Sequence, residues 1–282
     1  MRTALAEGLA EKRRTGINSL AFGLVGSTDN HLATVADLQE WDFNGIDRPF
    51  SVIEPGRMST GGLAGVWAQE NRRETLFDAM ERREVFATSG TRIKPRLFAA
   101  WEFDESICSN PDMLEQAYAG GTPMGGVLAL QKSADDAEAR EVVPHFLAAA
   151  LADTGTAARP GMPLQRMQII KVWPGGGNKL HQSVVDIAVA TGSDAASVDI
   201  SSCETEGPGA RSFCTVWQDD DYEPGQQAVY YLRVLENPSC RHTGYSCMPR
   251  ADGSPLPAFC QDPDMPRIIQ ERAWTSPIWV EG

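Results

Sequence analysis

The stretch Phe22-Gly23-Leu24-Val25-Gly26-Ser27-Thr28-Asp29-Asn30-His31 decides how the rest of the chain is read. A short apolar run stops at Gly26 and hands over to a polar turn carrying one carboxylate and one imidazole. An apolar run bounded by glycines reads as a strand buried on both faces, and in α/β folds functional groups gather where such strands end. The pattern therefore predicts a strand over residues 20–25 with Asp29 and His31 at its carboxyl end. On extended backbone a spacing of two sends both side chains to the same side, where an oxygen donor and an imidazole can share one cation. The alternative is a turn in which Asp29 caps the next helix and His31 packs at the surface, because D-x-H is a short motif.

Working outward, residues 2–14 place Leu5, Leu9 and several alanines on one helical face, and Thr15-Gly16 ends that helix. Residues 32–62 are irregular, with Trp41, Phe43, Pro49, Phe50 and Pro55, and a long loop beside a site reads as a lid or substrate wall. A helix is expected over 70–83, with Leu76, Phe77 and Met80 on its buried face. Glu70 falls in its first turn, where a carboxylate either complements the helix dipole or serves as a ligand. Arg72, Arg73, Arg82 and Arg83 alternate with Glu70, Glu74, Glu81 and Glu84, the pattern of a solvated face. Residues 84–93 repeat the opening pattern of apolar strand and polar turn. In a barrel this second turn sits near the first, and Thr88, Ser89 and the forked guanidinium of Arg92 are then suited to hold a small anionic substrate. The same hydroxyls equally suit the termination of a strand.

Beyond Pro95 the character changes. Short strands are expected at 97–103, 146–151, 167–173, 184–190, 197–200, 214–217 and 228–235, with one helix from 110 to 118 and a glycine-rich connector at 120–126. That connector lacks the G-x-x-x-x-G-K-[ST] pattern of a phosphate loop. Closely spaced strands with almost no helix between them predict an antiparallel sandwich packed on the α/β part. Trp274 and Trp279 read as apolar anchors that dock the tail. The expected division is 1–105 as an α/β unit, 106–141 as a connector and 142–282 as a β-rich domain.

A formal charge of −13 over 282 residues argues against a nucleic-acid partner, which needs a net basic surface. No stretch approaches the roughly 20 apolar residues of a membrane span. Six cysteines without C-x-x-C spacing, concentrated in loop-rich sequence, point to disulfides and an oxidising compartment. Cys203 with Cys214, then Cys240 with Cys247, are the expected pairs among 15 possible pairings.

Six pieces together carry a resemblance: FGLVGSTDNH at 22–31, GVWAQENRRETLFDAMERREVFATSGTRI at 65–93, GGTPMGG at 120–126, PLQRMQIIKVW at 163–173, YYLRVLENPSC at 230–240 and IQERAWTSPIW at 269–279. They resemble an uncharacterised family of large, mostly exported bacterial proteins assigned to the PHP (polymerase and histidinol phosphatase) metal-dependent phosphoesterase superfamily. The resemblance implies an α/β plus β fold, the C-terminal part of a PHP-like distorted β/α barrel followed by an antiparallel sandwich. It implies that Asp29 and His31 are ligands of a divalent metal (Zn, Mn or Fe), and a periplasmic or secreted location. The superfamily's earlier H-x-H has no counterpart here: none of the four histidines precedes His31, and His145, His181 and His242 are far apart in sequence. The implied reading is the C-terminal portion of a metal-dependent hydrolase whose remaining ligands lie upstream. The competing class is an exported binding or structural protein with a degenerate site, for which Trp173, Trp217, Tyr230 and Tyr231 would offer a surface; such aromatics in strands equally build core. Acyl transfer by Ser27 or Ser89 finds no G-x-S-x-G to support it.

Overall fold

The structure is a computed structural model that describes residues 1–28, 39–43, 60–129, 143–176 and 179–281. The strands, in chain order, are β1 (Leu63–Val66), β2 (Val85–Thr88), β3 (Lys94–Ala100), β4 (Thr122–Pro123), β5 (Val127–Leu128), β6 (His145–Leu151), β7 (Leu164–Pro174), β8 (Leu180–Val189), β9 (Ser197–Val198), β10 (Thr205–Glu206), β11 (Ser212–Gln218), β12 (Ala228–Glu236), β13 (Ser239–Cys240), β14 (Ile268–Ile269), β15 (Arg272–Thr275) and β16 (Ile278–Val280). Four helices accompany them among the described residues: α1 (Arg2–Thr15), α2 (Arg73–Glu81), α3 (Met113–Gly120) and α4 (His242–Ser246).

The first sheet is built around β12. Along one edge β12 pairs antiparallel with β7, which pairs in turn with β8. Along its other edge the tail runs back beside it, β15 against residues 233–235 and β16 against residues 228–230. Outside β15 lie β2 and then β1, both antiparallel; outside β16 lies β5, parallel. The second sheet is antiparallel in the order β11-β6-β3-β4.

The two sheets face each other. Alternate residues Ala228, Tyr230, Leu232 and Val234 of β12 join Leu97, Ala99, Phe146, Ala148 and Ala150 of the second sheet in the main core. The intervening Val229 and Tyr231 point the other way and pack with Leu5, Ala6 and Leu9 of α1 and with Trp279. A period of two with both sets buried is what a strand covered on both faces requires. Each large side chain so buried contributes about 1.5–3 kcal/mol. On the far face of the second sheet, Phe98 and Leu147 pack with Ile107 and with Ala117 of α3. The layers are thus helix, sheet, sheet, helix. α1 stops at Gly16, whose φ of 81° lets its N–H reach the Lys12 carbonyl. Lys12 itself pairs with Glu281, fastening the helix to the tail.

The antiparallel strands expected beyond residue 142 are present, but β1 to β5 share their two sheets rather than forming a separate unit, and Trp279 packs with α1. The β/α barrel is not present. α2 joins β1 to β2, which are antiparallel neighbours, whereas a β/α barrel needs parallel strands joined through helices. β1, β2 and β3 instead extend the two antiparallel sheets. The strand expected over 20–25 is also absent. The glycines there serve close approach rather than strand ends: a methyl group at Gly26 would lie 2.6 Å from the Leu63 carbonyl oxygen and 2.7 Å from that of Thr88. The Leu24 N–H bonds the Ser276 hydroxyl at 2.9 Å, and Val25 is 59% exposed. On α2 the expected face is inverted: Ala79 is buried, while Phe77 and Met80 are exposed. Cysteine pairing differs as well, being Cys108–Cys214, Cys203–Cys240 and Cys247–Cys260. Two of the pairs join segments 106 and 37 residues apart that only the folded chain brings together, and the third closes a loop of 13. Among the described residues no helix is long and apolar enough to cross a membrane. Most of the loop expected as a lid lies outside the described residues.

Candidate functional site

Antiparallel pairing brings one end of the first sheet together. Thr88 ends β2 opposite Ala273, and Leu235 near the end of β12 stands opposite Arg272. Ser89, Glu236 and Glu271 therefore fall side by side at that end. The Ser89 N–H donates to the Arg272 carbonyl at 3.0 Å, and the Arg272 N–H donates to the Ser89 hydroxyl at 2.9 Å. That hydroxyl in turn donates to the Glu271 carboxyl group. The Glu236 N–H bonds the Glu271 carbonyl at 2.9 Å, and the Thr91 hydroxyl donates to the Glu236 side chain.

A third carboxyl group arrives from elsewhere in the chain. Glu40 opens a single 3₁₀ turn, Glu40–Asp42, and is buried. One of its oxygens accepts from the Thr60 hydroxyl at 3.1 Å and the other from the backbone N–H of His242. Beyond the effect of burial, the Glu40 charge acts on Glu271, raising its proton affinity.

Burial raises the proton affinity of all three. Glu236 is pushed up to about 8, mainly by loss of water, with Glu271 and Asp153 adding repulsion while the Thr91 hydroxyl opposes the rise. Glu271 is pushed up to about 7, again first by burial, with the Ser89 hydroxyl acting against it and the Glu40 charge adding to it. Glu40 is raised by burial and held back by the His242 N–H, Thr60 and Arg241. Burial thus moves the proton affinities of Glu236 and Glu271 toward neutrality, and three hydroxyls, those of Thr60, Ser89 and Thr91, contact the cluster.

The opening stretch runs into this place. The Gly62 N–H bonds the Ser27 carbonyl at 2.8 Å. A methyl group at Gly61 would meet the Thr28 Cα at 2.6 Å, and one at Gly62 would meet the Thr88 carbonyl oxygen at 2.4 Å. Gly61 takes φ 98°, which favours glycine. Thr28 thus lies against the residue next to Thr60, the Glu40 partner. Asp29 and His31 lie outside the described residues.

The other sequence-derived candidates divide. Thr88 and Ser89 are at the cluster; the Thr88 hydroxyl accepts from the Gly90 N–H at 3.2 Å. Arg92 has an exposed side chain, and its N–H is capped by the Asp153 carboxylate at 2.8 Å. Glu70 is elsewhere: it pairs with Arg72 at 2.7 Å in solvent, beyond the opposite end of the β1–β2 hairpin. Among the histidines, His145 and His181 are remote, on β6 and β8, with the His181 ring stacked on Trp173. His242 reaches the site through its backbone, and its buried ring stands 4.6 Å from that of Phe43. Sequence reasoning missed Glu40, Glu236 and Glu271. The one available signal was a carboxylate closing the otherwise apolar run of β12.

Among the described residues no group of three or more His, Cys, Asp or Glu is arranged to hold a metal ion. Four of the six oxygens of the three buried carboxyl groups accept from Thr60, Ser89, Thr91 and the His242 N–H. Tyr230 and Tyr231 are in the core, and Trp173 and Trp217 are packed against it.

Compared with known proteins, residues 1–282 match a family described as Protein of unknown function (DUF3604). No curated protein and no solved structure matches the chain.

Proposed function

The chain belongs to the DUF3604 family, and from that premise we propose that it is the C-terminal part of an exported, metal-dependent phosphoester hydrolase related to the PHP superfamily. The reading rests on one juxtaposition. The backbone that leads into Asp29-Asn30-His31 is held, through Gly61, against the neighbour of Thr60 at the edge of a buried carboxyl cluster. Asp29 and His31 are the proposed ligands of a divalent cation (Zn, Mn or Fe), completed by donors from outside this chain. When bound, such a cation would lower the pKa of a water and orient it for attack. Beside it, Glu271 would hold or yield a proton near neutral pH, passed through the Ser89 hydroxyl. Three disulfides are compatible with an extracellular or periplasmic protein and support the export part of the reading.

The test is metal content and hydrolysis of a generic phosphodiester, bis(p-nitrophenyl) phosphate, by the whole protein. Asp29→Ala and His31→Ala are expected to lose both bound metal and turnover, while Ser89→Ala keeps the metal and loses turnover. Unchanged metal content in Asp29→Ala and His31→Ala sinks the proposal.

A further inference from the structure

The outer face of the first sheet gathers three guanidinium groups that pair with no carboxylate. Leu232 and Val234 point into the main core, as do Met167, Ile169 and Ala273. Their neighbours Arg233, Gln168 and Arg272 therefore leave the sheet on the other side. Arg233 stands directly opposite Gln168 of β7 along one edge of β12 and opposite Trp274 of β15 along the other. Arg272 lies two residues from Trp274 on that strand, which makes it a diagonal neighbour of Arg233 on the same face. Arg2 comes from α1 and donates to the Tyr231 hydroxyl at 3.2 Å and to the Gln182 side-chain oxygen at 3.0 Å. Tyr231 precedes Arg233 by two residues on β12 and shares its face.

The partners of these groups are all neutral. Arg233 Nε donates to the Gln168 amide oxygen at 2.7 Å, and Arg272 Nε to the Gln270 carbonyl at 2.9 Å. The nearby acids are engaged with another residue: Asp186 accepts from Arg166 at 2.8 Å and from Gln168 at 2.6 Å, and Asp194 accepts from Arg166 at 2.5 Å. A guanidinium carries five N–H donors. Among the described residues no protein acceptor meets the Nη groups of Arg233 or Arg272, and neither these two nor Arg2 has an ion pair. All three are half-buried. Burial first, and then the charges of Arg2 and Arg272, weaken the hold of Arg233 on its proton. The chain carries 38 Asp and Glu against 25 Lys and Arg, so acids to neutralise three arginines are plentiful, yet the fold pairs none with them.

We propose that Arg233, Arg272 and Arg2 form a binding site for a doubly charged oxyanion group, phosphate or sulfate, on the outer face of the first sheet. The planar fork of a guanidinium matches two oxygens of such a group. Three positive charges attract a dianion more strongly than a monoanion such as acetate. The half-buried Trp274 ring, opposite Arg233, offers an apolar contact to whatever carries the group. The site differs in kind from the carboxyl cluster, whose acids would repel the same ligand, and it stands whether or not the chain is part of a hydrolase.

The test is isothermal titration calorimetry of the whole chain with sodium phosphate at pH 8, with a metal chelator present and the ionic strength held constant with chloride. One saturable site per chain is expected, with sulfate competing for it and acetate not. Arg233→Gln and Arg272→Gln are each expected to weaken phosphate binding at least about tenfold through loss of a charge-assisted contact, and either serves if the other fails to fold. Arg73→Gln removes the same charge from the exposed side of α2 and is expected to change nothing. Asp29→Ala, which tests the hydrolase reading, is expected to leave phosphate binding intact, so the two proposals can fail separately. Phenyl phosphate binding more tightly than phosphate assigns the group to an ester, and equal binding assigns it to the free ion; both support the site. Absence of saturable binding up to ~10 mM phosphate overturns the proposal. So does an affinity that Arg233→Gln and Arg272→Gln leave unchanged, or that Arg73→Gln lowers equally.

Discussion

The Lys171 ammonium lies 2.6 Å from the Asp219 carboxylate, with both side chains only 5% exposed. The Tyr230 hydroxyl donates to the same carboxylate at 2.6 Å, and the rings of Trp173, Tyr222 and Tyr230 surround the ammonium. A buried pair of this kind is costly to break from one side, because the survivor stays charged and out of water. Lys171→Met is therefore expected to lower stability by about 3–5 kcal/mol in urea unfolding. Adding Asp219→Asn is expected to restore part of that loss. A single variant within about 1 kcal/mol of the original protein would show that the pair is open to water.

Stability should fall as pH rises through neutrality. Glu236 and Glu271 bind protons more tightly folded, at about 8 and about 7, than their ordinary value of 4.5. Where the folded state holds more protons than the unfolded state, raising the pH favours unfolding. The decline should begin near pH 5 and level off above pH 8. At about 1.4 kcal/mol per unit, Glu271 alone accounts for on the order of 3 kcal/mol. Melting temperatures from pH 5 to pH 9 are expected to slope downward, and Glu236→Gln with Glu271→Gln to flatten that slope. A Tm that climbs over this range would contradict the assignment.

The three disulfides should differ in worth. Cys108–Cys214 spans 106 residues and ties the outer turn of the second sheet to β11, whereas Cys247–Cys260 spans 13. On the chain-entropy account the longer loop is worth about 2 kcal/mol more. Replacing Cys108 and Cys214 by Ala is expected to lower Tm further than replacing Cys247 and Cys260, as scanning calorimetry of the two double variants would read.

Gly62 has no room for a side chain. A Cβ there would stand 2.4 Å from the Thr88 carbonyl oxygen, which belongs to a paired strand and cannot yield cheaply. Gly62→Ala is expected to cost on the order of 1–3 kcal/mol, and to weaken any cation bound through Asp29 and His31, because residues 26–28 pack on the same strand end. Gly176→Ala, where a Cβ meets nothing within 4 Å, is the matched control. Calorimetry and metal analysis of both variants distinguish a local effect from a general one.

Much of the sheet architecture is legible in the sequence, since β6, β7, β11 and β12 alternate or run apolar between turn residues. The first strand was misread for a definite reason. Gly23 and Gly26 bound an apolar run, which resembles a buried strand, but Gly26 lacks a side chain to admit the carbonyls of Leu63 and Thr88, and Gly23 to admit the side chains of Val85 and Ser276. A glycine that ends a strand and one that admits another backbone look the same in one dimension. On α2, the apolar residues Phe77 and Met80 suggested a buried face, yet Ala79 occupies it. Thr88 and Ser89 stand out in the sequence because a polar turn after a strand is visible locally, and the structure places them at the carboxyl cluster. Glu40, Glu236 and Glu271 do not stand out, because their meeting depends on the pairing of β12 with β15 and on a turn roughly 200 residues earlier in the chain.

The tail supplies the middle of the first sheet. β15 sits between β12 and β2, and β16 between β12 and β5, while Trp279 completes the seat of α1. A ribosome delivering this chain from its amino end must therefore release residues through Val280 before the helix that emerged first can settle. Until then the apolar flanks of β2 and β12 have nothing between them, so the molecule closes in one late step rather than piece by piece during synthesis.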